Sequence, residues 1–383
     1  MISNSKHDQN AKHRILLFSE RNIFEREVWR CSWQEFEGIL QEIDSVEVVA
    51  PKPKKWYPYG KRVALRLGEY VRVPLNPGIT SVNVNQEYDM FLAVCEKPSE
   101  LLHLQAVKGW RDQCKTSVCV LPEFYVKEIP TSKSSLDVLN EFDYVIFMFN
   151  VNEPFKKIIK GQGQYLPAGI DTLRFCPYPN PPARCIDVLS IGRKASAVHK
   201  ALMRMAREDG KFYVYDTIND LHAYNLDEHR LMMANMAKRS RYFIVSPGKF
   251  DNLAETGGQS EFGYRYFEAA APGTVMIGMR PANNKEFDKI FNWQDAVIEV
   301  PFTSDEIVSV IRELDKEPER QMKIRQTNVI QCLLNHDWVY RWEAVLSLVG
   351  MQPMPMLQSR KQRLKDLAEI VKEAPIELQK TRV

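Results

Sequence analysis

The sequence is short of most features that mark the commoner binding chemistries. Its seven cysteines (31, 95, 114, 119, 176, 185 and 332) are odd in number and scattered, with no C-x-x-C pair, so neither a disulfide framework nor a cysteine zinc site is expected. No H-x-x-x-H pair and no D-x-D pair occurs, which removes the usual ligand spacings for a catalytic metal, and no metal is expected. There is no N-x-S/T sequon, the first twelve residues are polar, and no run of about 18 apolar residues appears. A cytoplasmic chain that neither spans a membrane nor follows the usual secretory route is expected. Gly (17) and Pro (22) are too few for a collagen-like or low-complexity chain. Lys plus Arg exceed Asp plus Glu by only 52 − 49 = 3, so nucleic acid is not an expected partner.

What is present is ordinary globular composition, 44% hydrophobic and 26% charged over 383 residues, enough for two or three domains with their own cores. Short apolar runs at Arg14–Ser19, Val46–Ala50, Met90–Cys95, Val118–Leu121 and Tyr144–Phe149 alternate with amphipathic stretches such as Trp29–Ile43 and Glu100–Gln113. Residues 150–182 lose this regularity and end in a proline cluster, which predicts a linker. The rhythm then restarts, with strands at Ile186–Ile191, Lys211–Tyr215, Tyr242–Val245, Thr274–Met279 and Ala296–Val300. Helices are predicted near Val198–Glu208, Asp227–Lys238, Ser260–Ala271, Asp305–Leu314 and Pro318–Asn335. The fold class is therefore α/β, two Rossmann-like domains facing each other across a cleft, over residues 1–175 and 176–350. Residues 351–383 form a helical tail that could pack back on the first domain. In such folds ligands bind beyond the carboxyl ends of the strands.

Two segments fit an anion. In TGGQSEFGYRYFEAAAPGTVMIG (256–278), Gly257 and Gly258 permit close backbone approach. Ser260 would cap a helix whose first N–H groups, at Glu261, Phe262 and Gly263, would face a diphosphate. Arg265 lies in the next turn, and Glu261 and Glu268, seven residues apart, would share a face suited to a ribose diol. The segment is not a hydrolase elbow, since Phe262 stands where G-x-S-x-G needs its second glycine. Gly192, Arg193 and Lys194 follow the first strand of the second domain, and Ser246 follows the strand at Tyr242–Val245. The missing G-x-G-x-x-G at both domain starts argues against a dehydrogenase.

The segments YLPAGIDTLRFCP (165–177), SIGRK (190–194), FGYRYFEAAAPGTVMIG (262–278) and NHDWVYRWEAVL (335–346, with His336 and Arg341) occur in an order that resembles GT-B glycosyltransferases of the group 1 type. The likeness covers residues 144–350. It implies transfer of a sugar from a nucleotide diphosphate sugar held by the second domain to an acceptor on the first, with no metal and no other cofactor. The family's later Glu of a Glu-x7-Glu motif matches Glu268; its earlier position falls on Ser260, beside Glu261. Its Arg matches Arg193, with Lys194 and Lys200 flanking the place of its Lys. The alternatives are a nucleotide-sugar epimerase or phosphorylase on the same fold, or a non-catalytic sugar-nucleotide binder.

A base or hydroxyl-orienting group would come from the first domain, where Glu20, Glu96 and Glu123 each follow a predicted strand. Glu96 ranks first because the longest apolar run precedes it and would raise its pKa. His103, His199, His222 and His229 are assigned structural roles. Residues 52–72 hold seven basic residues and one acid among Trp56, Tyr57 and Tyr59, suited to peripheral contact with a membrane surface, an anionic acceptor or a solvated loop.

Overall fold

The computed structural model describes residues 13–149, 155, 157–216 and 222–374. Six parallel strands form the first sheet: β1 (Ile15–Phe18), β2 (Val46–Val49), β3 (Tyr88–Val94), β4 (Cys114–Leu121), β5 (Tyr144–Phe147) and β6 (Gln162–Tyr165). Their order is β2-β1-β3-β4-β5-β6. Strands covered by helices on both faces must be apolar on both, and β1 (ILLF) is buried at every position. The second sheet comprises β7 (Ile186–Ser190), β8 (Tyr213–Tyr215), β9 (Ser240–Val245), β10 (Val275–Gly278) and β11 (Ile298–Glu299) in the order β8-β7-β9-β10-β11, again all parallel. In each sheet the order reverses beside its first strand. The crevices so created lie after β1 and β3 in the first domain and after β7 and β9 in the second.

Helix α1 (Cys31–Ile43) presents Trp33, Phe36, Ile39, Leu40 and Ile43 to a core continuous across both domains. The chain then crosses back at its far end. After α2 (Pro318–Asn335) comes α3 (Trp338–Leu348), whose Trp338 ring lies 5.6 Å from Trp33 and 4.8 Å from Phe36. Trp338 Nε1 donates to Glu35 at 3.1 Å and Trp342 Nε1 to Asp44 at 2.8 Å. The tail forms α4 (Pro355–Glu373), burying Leu357, Leu364, Ala368 and Val371. It packs on α2 and touches α1 and α3, and its Arg360 donates to Asp337 and Asp171.

Four stretches differ from expectation, the first being β6, an edge strand that pairs with β5 inside the segment read as a linker. The predicted helix at Glu100–Gln113 is a 3-10 segment (Pro98–Ala106), a two-residue strand and a short helix (Trp110–Gln113), separated by Gly109 at φ 80°. Residues 57–71 form a full helix (Tyr57–Val71). Gly60 is what lets that helix sit against Trp56 and Pro77, because a Cβ there would come 2.3 Å from the indole and 2.4 Å from the Pro77 carbonyl. The helix expected from Ser260 begins at Arg265. Residues 150–154, 156 and 375–383, read as parts of the linker and the tail, lie outside the described residues.

Trp338→Ala is expected to lower unfolding free energy by about 3–5 kcal/mol through the cavity it leaves, whereas Arg363→Ala on the exposed side of α4 should change it by less than about 0.5 kcal/mol. Urea melts followed by circular dichroism distinguish the two.

Candidate active site

On the first-domain side of the cleft, a cluster of acids is built around one arginine. Glu20 leaves β1 into the interior, 1% exposed, and its carboxylate is held by Arg30 and by His103 Nδ1. Tyr57 OH lies 2.9 Å from His103 Nε2, so the imidazole sits between a carboxylate and a phenol. Burial pushes His103 down to about 3, leaving it a neutral ring that donates to Glu20 and accepts from Tyr57. Glu100 accepts from the backbone N–H of Glu96 at 2.7 Å and from Arg30 at 3.3 Å. Glu96 follows β3 and lies 3.4 Å from Arg30.

Three carboxylates thus share one guanidinium, and they cannot all ionise cheaply. Burial, reinforced by Glu100 and Glu123, raises Glu96 to about 8. Burial and the Glu20 charge raise Glu100 to about 7. Burial alone would lower Arg30, but Glu20, Glu100 and Glu96 outweigh it and raise it. Glu20 is the innermost of the group and Glu96 the outermost.

On the second-domain side, Gly192 (φ 88°) turns the chain after β7. Its N–H donates to Asp216 at 2.9 Å, and Lys194 reaches the same carboxylate at 2.6 Å. A Cβ on Gly192 would lie 3.5 Å from Arg265 Nη2, so this turn and Arg265 adjoin. Arg193 pairs with Asp251 at 2.8 Å. After β9 comes half-buried Ser246, then Lys249 at φ 51°, which reaches across the cleft to Glu123 at 2.7 Å and also holds Glu255 at 2.5 Å. Arg193 and first-domain Lys97 both help to lower Glu255, placing cations of the two domains around one acid.

The loop before the short helix Arg265–Ala270 is not the helix start expected. Ser260 Oγ accepts from the Ala282 N–H at 3.3 Å and caps nothing. Glu261 accepts from Gln259 Nε2 at 2.7 Å, off any helix shared with Glu268. Phe262 is buried against Tyr266, Phe287 and Phe291, so this stretch is fixed by packing and its N–H groups do not form a helix terminus. Gly263 has open space where a Cβ would stand.

Glu268 is 5% exposed, with Arg230 on one carboxylate oxygen and Arg265 on the other at 2.7 Å. Burial opposes its ionisation, but Arg265 and Arg230 outweigh burial and hold it below the usual carboxylate range. Arg230 also donates to Glu35 of α1 at 2.7 Å, so Glu35, Arg230 and Glu268 link the domains at the cleft floor. Nearby, Trp33 Nε1, Tyr264 OH and His229 Nδ1 are buried without a hydrogen-bond partner, and the Trp33 and Tyr264 rings are 5.5 Å apart. Such groups are ordinarily satisfied by water or a ligand. The charges of Glu96 and Arg30 reach Tyr264, which puts it opposite the first-domain cluster.

The structure therefore gathers Glu96, Glu123, Gly192, Arg193, Arg265 and Glu268 around one cleft, keeps Glu20 beneath its surface, and leaves Phe262 in the core. Arg30, Glu35, Arg230, Lys249 and Tyr264 escaped the sequence reading, which gave His103 a structural role. One signal was available: Glu35 is an acid between Trp33 and Phe36 in an apolar helical pattern, and a carboxylate there must find a buried partner. Among the described residues no group of three His, Cys, Asp or Glu is arranged to hold a metal ion, and no helix is long and apolar enough to cross a membrane.

Residues 198–347 match the family model described as glycosyl transferase-like. No curated protein matches the chain significantly. Among solved structures, an alpha-glucosyltransferase (AGT) in complex with UDP aligns at a TM-score of 0.50 and 12% identity, over 88% of this chain and 100% of its own. The alpha-glucosyltransferase in complex with UDP and a 13-mer DNA containing a central A:G mismatch aligns at 0.50 and 11%, over 88% and 100%. The chain thus has the GT-B fold, two Rossmann-like domains across a cleft, and its residues 198–347 are similar to glycosyl transferase-like proteins.

Proposed function

We propose that this enzyme moves a sugar from a nucleoside diphosphate sugar on the second domain to an acceptor on the first, without a metal ion. The observation that carries this reading is the set of cations at the carboxyl ends of β7 and β9, Arg193, Lys194 and Lys249, with Arg265 beside Gly192, facing Glu96 across the cleft. Breaking a glycosyl–phosphate bond builds negative charge on the leaving diphosphate and positive charge on the sugar ring, so cations aimed at the phosphates lower the barrier. That the similar alpha-glucosyltransferase was solved with UDP supports a nucleoside diphosphate as the donor's leaving group.

In this reading Arg193 and Arg265 clamp the diphosphate, Gly192 lets the backbone approach it, and Glu268 accepts from the ribose hydroxyls. Glu96 takes the proton of, or orients, the acceptor hydroxyl. A carboxyl with a pKa of about 8 is a stronger base than an exposed one and still ionises near neutral pH. Glu20 and His103 act through Arg30 and Glu100 as positioning groups. The helix Tyr57–Val71 exposes Tyr59, Val63, Leu67 and Tyr70 along one side, among Arg62, Arg66 and Arg72. We assign it to an anionic membrane surface, with the enzyme at the inner face and a lipid-linked acceptor.

Glu96→Gln should lower kcat by about 10²–10⁴ while changing donor KM little, and Arg193→Ala and Arg265→Ala should each weaken donor binding about ten-fold. Transfer and hydrolysis of radiolabelled donor are the readouts, and unchanged kinetics in all three variants rejects the site. Product formed only when acceptor is present separates this enzyme from an epimerase or a silent binder. The acid limb of kcat/KM should rise as pH climbs toward about 8. Because the folded-state pKa of Glu96 is raised, its contribution to stability is full below about pH 4.5 and is lost as pH rises through about 8. Wild type should therefore lose more stability than Glu96→Gln between urea melts at pH 5 and pH 8.5. Arg62→Glu/Arg66→Glu should reduce sedimentation with vesicles of anionic lipid and leave sedimentation with neutral vesicles unchanged.

A further inference from the structure

Away from the cleft, a cavity of about 700 Å³ opens between the interdomain connector, the outer side of α2 and the end of α4. Its walls are mainly apolar, with Met322 and Val329 from α2, Ile370 from α4 and prolines of the connector. Into it project Arg184 and Arg325, with Tyr178 close enough to both for their charges to reach its hydroxyl. Arg184 donates to the carbonyls of Ser240 at 2.5 Å and Pro272 at 2.7 Å, and the turn at Gly273 (φ 71°) brings that backbone close. Arg325 donates from Nη2 to Gln321 at 2.7 Å, while its Nε is buried with no partner.

No carboxylate pairs with either guanidinium among the described residues. Asp315, the acid that acts on Arg325, is already engaged by Arg241, Lys211 and Tyr242. Glu373 sits at the rim and forms no ion pair with them. Two neighbouring half-buried cations with no counter-charge among the described residues are costly unless an anion joins them. The cost is visible in both groups: burial, then repulsion by Arg325, pulls Arg184 down to about 9, and burial, then Arg241, pulls Arg325 down to about 10.

We propose that this cavity binds an organic phosphate, the phosphoryl group between Arg184 and Arg325 and its apolar body against Val329, Met322 and Ile370. A phosphate monoester carries nearly two negative charges at neutral pH and so matches two guanidinium groups, whereas a carboxylate leaves one unmatched. The volume falls in the range of small-molecule sites, about 300–1,000 Å³. The site is separate from the donor cleft and does not depend on the reading given to it.

Phenyl phosphate, inorganic phosphate and benzoate, titrated calorimetrically into the full chain, test the assignment. Phenyl phosphate should bind most tightly, and Arg325→Gln and Arg184→Gln should each weaken it about ten-fold or more, with Arg193→Ala in the cleft leaving it unchanged. Should the arginine variants fail to fold, Ile370→Trp decides: Ile370 is 44% exposed, so the larger ring should narrow the mouth and block the probe at an unchanged melting temperature. Absence of binding, binding that survives Arg325→Gln and Ile370→Trp, or binding lost in Arg193→Ala overturns the proposal.

Discussion

One guanidinium, that of Arg230, lies buried between carboxylates of two different domains, and the shape of the cleft depends on it. Glu35 belongs to the first helix of the chain and Glu268 to the short helix under the second sheet, 233 positions apart by 268 − 35. Apolar packing alone can slide, but a planar fork held on both sides by carboxylates fixes direction as well as distance. Trp338 reinforces the joint by donating to the same Glu35 while its ring packs at a tilt against Trp33 and Phe36. A triad of this kind adds little net stability over a well-packed apolar trio, yet losing one member strands a buried charge. Its value to a two-domain protein is alignment: Arg265, which shares Glu268, is set opposite the first-domain acids by the same bonds.

The acid cluster of the first domain works by a shortage of counter-charge. With Arg30 the only guanidinium among Glu20, Glu96 and Glu100, protons are retained where an exposed carboxylate would have lost them. The neutral imidazole of His103 keeps Glu20 anchored without adding a second positive charge. The outermost acid, Glu96, is left with a higher affinity for a proton than Glu100 and with the best access to the cleft.

The fold was legible in the sequence wherever burial and punctuation agreed. The helix Pro318–Asn335 emerges with the bounds expected, since Pro318 can open a helix. Every strand of the two sheets but β6 falls where an apolar run predicted it, because a parallel sheet covered on both sides admits little else, whereas β6 (QGQY) is an exposed edge strand inside the stretch read as a linker. Where long-range packing decides, the sequence misleads. Ser260 looked like a cap, but Phe262 two residues on is claimed by Phe287 and Phe291, which holds the loop away from helical geometry. Residues 52–72 could be read as a solvated loop, whereas Gly60 allows a helix there to pack. At the site, strand-end residues could be named from position alone. Arg230 could not, because its meaning lies in two partners that only the tertiary fold brings near.

Three cations of the second domain beside the cleft each come with an acid already attached: Asp251 on Arg193, Asp216 on Lys194, and Glu123 with Glu255 on Lys249. Any incoming anion must therefore trade places with a resident carboxylate, and what it gains is only the difference between the two partnerships. Simple inorganic ions, offering one point of attachment, gain little from such a swap; a ligand that displaces several at once gains at each. In the proposed donor site such built-in competition would favour a ligand with several points of attachment over the surrounding salts and ease the departure of a spent one.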